Sequence, residues 1–437
     1  MSHLRQTVAV TLTAAMTSAA PCAYAVAPTP IDHSQLPAPA APAPPGRTEQ
    51  ADRCATVRAA DGPRSSHLAG LNLPAVWPLS RGAGQSVAVI DTGVARHRLL
   101  PHLVPGGDYV SSGDGTQDCD GHGTAIAGLI GAAASGNGPG AFSGVAPEVN
   151  IMAIRQSSNK FRLSDDHQVT GVGDVDTLAR AVRSAADAGA TVINISSVAC
   201  MPATSPLDDR ALGAALAYTV DVRNVVVVTA AGNASGECVQ QNPLSDPRRP
   251  GVPDWDNVHT VVSPAWYDDY VLTVGSVGPT GAPSPFSLAG PWVDVAAPGE
   301  SVVSLSAQGD GLVDSHSDAR PLSGTSYAVP VVSGVVALVR SRLPQLSARQ
   351  VMARIKDTAH HPAGGWNAQV GHGVVDPLAA VSSGGAQVAA PAPAVAAPPA
   401  PISDPDQRRS RRIAFLGTAV CIAVAAVALA GGRRRQR

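Results

Sequence analysis

The chain has 437 residues, a formal net charge of −2 and only 3% aromatic residues. That length holds one large core with appendages, and Ala, Val and Leu must fill it. A near-neutral chain in which Lys160 and Lys356 are the only lysines gives no electrostatic footing for nucleic acid or for a generally anionic partner.

In chain order, Arg5 precedes an uncharged, mainly apolar run over 8–20, and Ala23 and Ala25 flank Tyr24 in an A-x-A pattern. This predicts a signal peptide over 1–25, cleaved near Ala25. Residues 26–65 form an N-terminal extension whose first part, 27–47, is rich in Pro and Ala and builds no core.

The body spans 66–382. Its apolar runs at 86–90, 150–154, 191–195, 225–229 and 271–274 read as buried strands, and 175–186 and 207–222 read as helices between them. That alternation predicts an α/β domain with a mainly parallel central sheet, covered on both faces and joined by right-handed crossovers. Ligands of such sheets bind at the carboxyl ends of the strands. The polar stretch 157–175, with Asp165, Asp166, His167 and Asp174, reads as a surface insertion, a solvated loop rather than a calcium site. The stretch 255–270 mixes aromatic and acidic residues and points to no particular chemistry.

A second Pro/Ala-rich linker covers 383–412. Residues 413–430 carry no charge, and Gly431 and Gly432 extend the run far enough to cross about 30 Å of hydrocarbon as a helix. A transmembrane helix over 413–432 is expected, with an Ala-rich buried helix as the alternative. Arginines flank it on both sides, so the signal peptide decides orientation: the body is exported and 433–437 is a cytoplasmic tail.

Of the six cysteines, Cys22 falls in the signal peptide and Cys421 in the membrane helix. Cys54, Cys119, Cys200 and Cys238 remain, with three pairings open in an oxidising compartment. Cys200 and Cys238 each follow a predicted strand by a few residues. If those strands are neighbours, Cys200–Cys238 is the preferred bridge. That leaves Cys54 for Cys119, just before His122, tying the extension beside any site built on that histidine. No two cysteines have metal-ligand spacing, and no metal or cofactor is expected.

Four short motifs carry chemistry. Asp91 directly follows the first strand, in Asp-Thr-Gly. His122 sits in Gly-His-Gly-Thr ahead of a small-residue helix. Asn233 ends Ala-Ala-Gly-Asn after the Val-rich strand. Ser326 lies in Gly-Thr-Ser-Tyr-Ala-Val-Pro, just before an apolar helix over 327–339. Each alone has an ordinary reading: a turn carboxylate, a structural imidazole, a turn amide or an N-cap serine. Together they supply the parts of nucleophilic acyl transfer: a hydroxyl, a base to take its proton, a carboxylate to orient the base and a donor for the oxyanion. The chain order Asp, His, Ser separates this set from the other common serine-hydrolase orders.

These motifs resemble the signatures of the subtilases, over about 66–380. The layout of signal peptide, extension, protease body, Pro-rich linker and C-terminal helix is similar, more narrowly, to the mycosins, membrane-anchored subtilases of mycobacterial and related type VII secretion systems. The resemblance implies a serine endopeptidase with Ser326 as nucleophile, His122 as base and then acid, Asp91 holding its tautomer, and Asn233 with the Ser326 N–H as oxyanion hole. It places Ser196 and Ser197 on the edge that pairs with substrate backbone, although the glycine usual in that stretch is missing here. Mycosins keep their N-terminal extension, which implies that it braces this body too. The implied partners are a protein substrate and a type VII membrane complex.

Two rival readings remain. An aspartic protease needs two similarly placed Asp-Thr/Ser-Gly motifs, or a half-size chain that dimerises; this chain has one such motif, and that reading explains neither Gly-His-Gly-Thr nor Gly-Thr-Ser. A structural subunit of a secretion complex, with proteolysis secondary, is compatible with the same layout.

Overall fold

The β-branched runs form neighbouring strands, because a strand that is apolar on both faces must be covered on both, as the interior strands of a parallel sheet are. The computed structural model describes residues 26–59 and 67–382, apart from 137–140, 167, 169, 206, 236–237, 239 and 245–248. Its centre is a seven-stranded sheet in the order Val295–Pro298, Leu272–Val277, Val226–Ala230, Val192–Ile195, Ser86–Asp91, Asn150–Arg155 and Leu103–Asp108. Every neighbouring pair runs parallel.

The Ser86–Asp91 strand has Asn150–Arg155 on one side and Val192–Ile195 on the other. On the first side the chain goes to the edge strand Leu103–Asp108 and then fills the gap with Asn150–Arg155; it next crosses back and adds the remaining strands outward on the second. Such a reversal of strand order opens a crevice at the carboxyl edge, and Asp91 is the last residue of the strand at that point.

The helix Val175–Asp187 begins with a capping box between Asp174 and Thr177, and the sheet side of the helix is buried. The expected helix over 207–222 is the shorter Arg210–Ala217, continued by a π turn at Tyr218–Val222. The apolar helix near the end runs over Thr325–Arg342 and is buried from Thr325 to Val339 except at Ser326. Ser326 thus lies within its first turn, with Gly324 as cap, rather than just before the helix.

Three features depart from the sequence reading. The stretch at 157–175 is not wholly loop: Phe161–Leu163 pairs antiparallel with Thr48–Gln50 of the extension. A second strand of the extension, Val57–Ala59, joins the sheet at Leu312–His316. The extension is therefore tied to the body by backbone pairing at two places. Cys200 also sits inside a strand of its own, Ala199–Pro202, paired with Thr260–Ser263. The stretches expected to form a signal peptide and a membrane helix, with Cys22 and Cys421, lie outside the described residues, among which no helix is long and apolar enough to cross a membrane.

Candidate active site

Two glycine-bearing loops interlock at the carboxyl edge and set Asp91 against His122. Asp91 is fully buried, and its Oδ1 lies 2.7 Å from His122 Nδ1. The Thr92 N–H donates to the same oxygen at 2.7 Å. A Cβ on Gly93 would collide with the Gln117 carbonyl, and one on Gly123 would collide with the Gly93 carbonyl. Asp-Thr-Gly and Gly-His-Gly thus need their glycines to pack backbone against backbone.

Burial alone would lower the pKa of His122. The charge and hydrogen bond of Asp91, with the charges of Asp118 and Asp120, outweigh it and hold the imidazole above its ordinary value. The His122 side chain keeps 26% exposure. Its ring packs 5.4 Å from that of Tyr327, tilted by 54°.

Ser326 shares a cavity of about 700 Å³ with His122, Asn233, Ser196 and Ser197. Among the described residues no hydrogen bond joins its hydroxyl to His122. The serine is seated by its backbone instead. Pro330 has no N–H to donate to the carbonyl four residues earlier, so the helix leaves the Ser326 oxygen without its regular partner. Ser196 Oγ supplies one at 3.0 Å. Asn194 Nδ2 donates to Ser196 Oγ at 2.9 Å, and Ser333 Oγ donates to Asn194 Oδ1 at 2.9 Å. The Ser196 hydroxyl is therefore committed to the helix, while Ser197 lines the cavity beside it.

Asn233 Oδ1 accepts from the N–H of Thr325 at 2.9 Å and from its hydroxyl at 3.1 Å. A backbone N–H can only donate, so these bonds fix which way the amide faces. Asn233 Nδ2 is left on the side of Gly324, whose missing side chain keeps the space beside Ser326 Oγ open.

The cysteines pair as Cys54–Cys119 and Cys200–Cys238, with Cα atoms 4.5 and 5.3 Å apart. The strands before Cys200 and Cys238 are neighbours in the sheet. Next to Cys54, the Ala55 N–H donates to the Cys119 carbonyl at 2.8 Å, and Ala55 reaches the cavity wall. His316, held in the strand beside the extension, lines the same cavity. Burial, then the charges of Arg320 and His122, depress its pKa.

Sequence reasoning passed over Asp118, Asn194, Thr325, Ser333 and His316. Asp118 and Thr325 sit inside or beside the quoted motifs and could have been found there. The other three carry no local signal.

An independent comparison decides the family: residues 82–373 match the subtilase family. The chain belongs to the subtilases. This subtilase is a serine protease by family, and it is 56% identical over 432 residues to Mycosin-4 of Mycobacterium tuberculosis, covering 95% of this chain and 93% of that relative. The solved MycP3 protease from the type VII (ESX-3) secretion system is 45% identical, with a TM-score of 0.75 over 82% of this subtilase and 100% of that chain. A chain in the intact ESX-5 inner membrane complex is 41% identical, with a TM-score of 0.76 over 93% of this subtilase and 100% of that chain.

Proposed function

We propose that the chain is a membrane-anchored, extracytoplasmic serine endopeptidase attached to a type VII secretion complex. One observation carries the catalytic part: the 2.7 Å bond between Asp91 and His122 opens onto the cavity that Ser326 and Asn233 also line.

In this scheme Ser326 Oγ attacks the carbonyl carbon of a peptide bond while His122 Nε2 takes the hydroxyl proton. Asp91 holds the Nδ1–H tautomer and stabilises the imidazolium that forms. The oxyanion accepts from Asn233 Nδ2 and the Ser326 N–H. Collapse breaks the C–N bond, and the proton on His122 passes to the departing amine, leaving an ester on Ser326. A water molecule then attacks that ester and gives its proton to His122. The acid product leaves, and the proton returns to Ser326 Oγ. Ser196 and Ser197 mark the strand edge along which the acyl side of the substrate would pair.

The remaining assignments follow the layout of the chain. Residues 1–25 are a signal peptide, and the extension over 26–65 stays attached as a brace to the protease domain over 66–382. The linker over 383–412 leads to a transmembrane helix over 413–432 and a cytoplasmic tail over 433–437. Supporting the secretion role, the mycosin relatives match nearly end to end, and one similar chain was solved in the periplasmic assembly of the ESX-5 inner membrane complex. That same similarity favours a second reading, a structural subunit of the complex.

Complementing a deletion strain separates the two. Wild type should restore both secretion and the processing of a secreted protein, and Ser326→Ala should leave that protein unprocessed. Processing by the Ser326→Ala chain would overturn the catalytic assignment. Secretion rescued by the unprocessing chain would establish the structural role.

A further inference from the structure

Four donors converge on one carboxylate that the reaction scheme leaves unused. Asp118 lies in the loop before His122. Its Oδ1 accepts from Thr92 Oγ1 at 2.9 Å and from the Gly121 N–H at 2.7 Å. Its Oδ2 accepts from the N–H and the hydroxyl of Thr124 at 2.8 and 2.6 Å. Both hydroxyls also act as acceptors. Thr92 Oγ1 takes the Gly123 N–H at 3.0 Å, and Thr124 Oγ1 takes the Ala95 N–H at 2.9 Å.

The result is a closed box. Thr92 and Ala95 belong to the segment leaving Asp91, while Gly121, Gly123 and Thr124 surround His122. Asp118 stands where the two segments meet. An ionised carboxylate is acceptor-only, which suits a point where all four neighbours donate. An amide of the same size would turn N–H groups toward some of those donors.

The charge of Asp118 also bears on the imidazole. It acts with Asp91 and Asp120 to favour the protonated ring against burial. Burial pushes Asp118's own pKa up to about 6, although its four hydrogen bonds all pull the other way. The other titratable groups facing this corner are Tyr327, raised by burial and then by Asp91 and Asp118, and His316 across the cavity, whose near neighbours are Arg320 and Asp318.

We propose that Asp118 is a positioning residue for the reaction, locking Asp91 and His122 into one unit and stabilising the imidazolium formed during acyl transfer. This rests on the assignment of Asp91, His122 and Ser326 made above.

The test uses the full chain in detergent as wild type, Asp118→Asn, Thr92→Val and Thr92→Ser. One readout is the titration of His122, followed through its low-field Nδ1 proton by NMR, which needs no turnover. The other is the rate of inactivation by a fluorophosphonate probe. Asp118→Asn should titrate at lower pH than wild type and label about tenfold or more slowly, the scale expected of a displaced catalytic group. Thr92→Val keeps the charge, so labelling should slow while the titration stays near that of wild type; Thr92→Ser should restore the rate.

An Asp118→Asn chain with the wild-type titration and labelling rate would overturn the proposal, whatever its melting temperature. Should that variant fail to fold, Thr92→Val labelling at the wild-type rate would overturn the locking role. A wild type that does not label counts against the assignment of the catalytic residues, and the titration then decides the role of Asp118.

Discussion

Asp91 and His122 are joined side chain to side chain at 2.7 Å and boxed by the Asp118 hydrogen bonds, whereas among the described residues no hydrogen bond joins the Ser326 hydroxyl to either. Ser326 is seated by its carbonyl, which Ser196 holds at 3.0 Å, and by the Thr325 N–H, which Asn233 holds at 2.9 Å. In the proposed scheme the base and its orienting carboxylate are thus preassembled, while the nucleophile is placed through the backbone of its helix. Changes in the first half should alter proton transfer; changes in the second should alter how the hydroxyl and oxyanion donors meet the substrate.

The contrast can be broken most severely at the base. His122→Ala should lower the rate of peptide hydrolysis by about 10⁶-fold while the circular dichroism spectrum is retained, because groups acting as one unit lose nearly all their effect together. A loss near tenfold would mean that the preassembled pair does not drive the chemistry. On the nucleophile side, Asn233→Ala should lower kcat by about 10²–10³-fold with KM little changed, since an oxyanion donor acts mainly in the transition state. Steady-state kinetics on a peptide substrate would check this, and a change confined to KM would count against that role.

The bridge beside the tightly tied half should matter for stability. Cys54→Ser with Cys119→Ser opens a link between residues 65 apart and should destabilise the fold by about 2–4 kcal/mol, read from reversible denaturation. The smallest effect is expected at Ser196→Ala, about 1 kcal/mol for one hydrogen bond in a buried network. A null result there would mean that another donor reaches the Ser326 carbonyl.

Much of this was legible before the fold was in view. The runs at 86–90 and 225–229 are so apolar that they suit a strand buried on both faces, and the motif glycines mark Asp91 and His122 as backbone-tight sites. Other parts depend on contacts distant in sequence. The Ser196 hydroxyl reads as part of a substrate-facing edge, but its partner is the carbonyl of a residue 130 positions later. The short strands Thr48–Gln50 and Val57–Ala59 have no strand signature of their own. They exist because Phe161–Leu163 and Leu312–His316 offer edges to pair with. Pro330 was visible in the Ser326 motif, yet its consequence, a carbonyl in need of an outside donor, emerges only once Ser196 is seen beside it.

The most direct measurement is fluorophosphonate labelling of the purified, disulfide-intact chain, with the modified residue mapped by mass spectrometry. Asp91, His122 and Ser326 acting as one unit predict a single label on Ser326, absent from Ser326→Ala and His122→Ala. Labelling should rise with pH as His122 loses its proton. No label on the folded wild type, or an equal label on His122→Ala, would contradict the account.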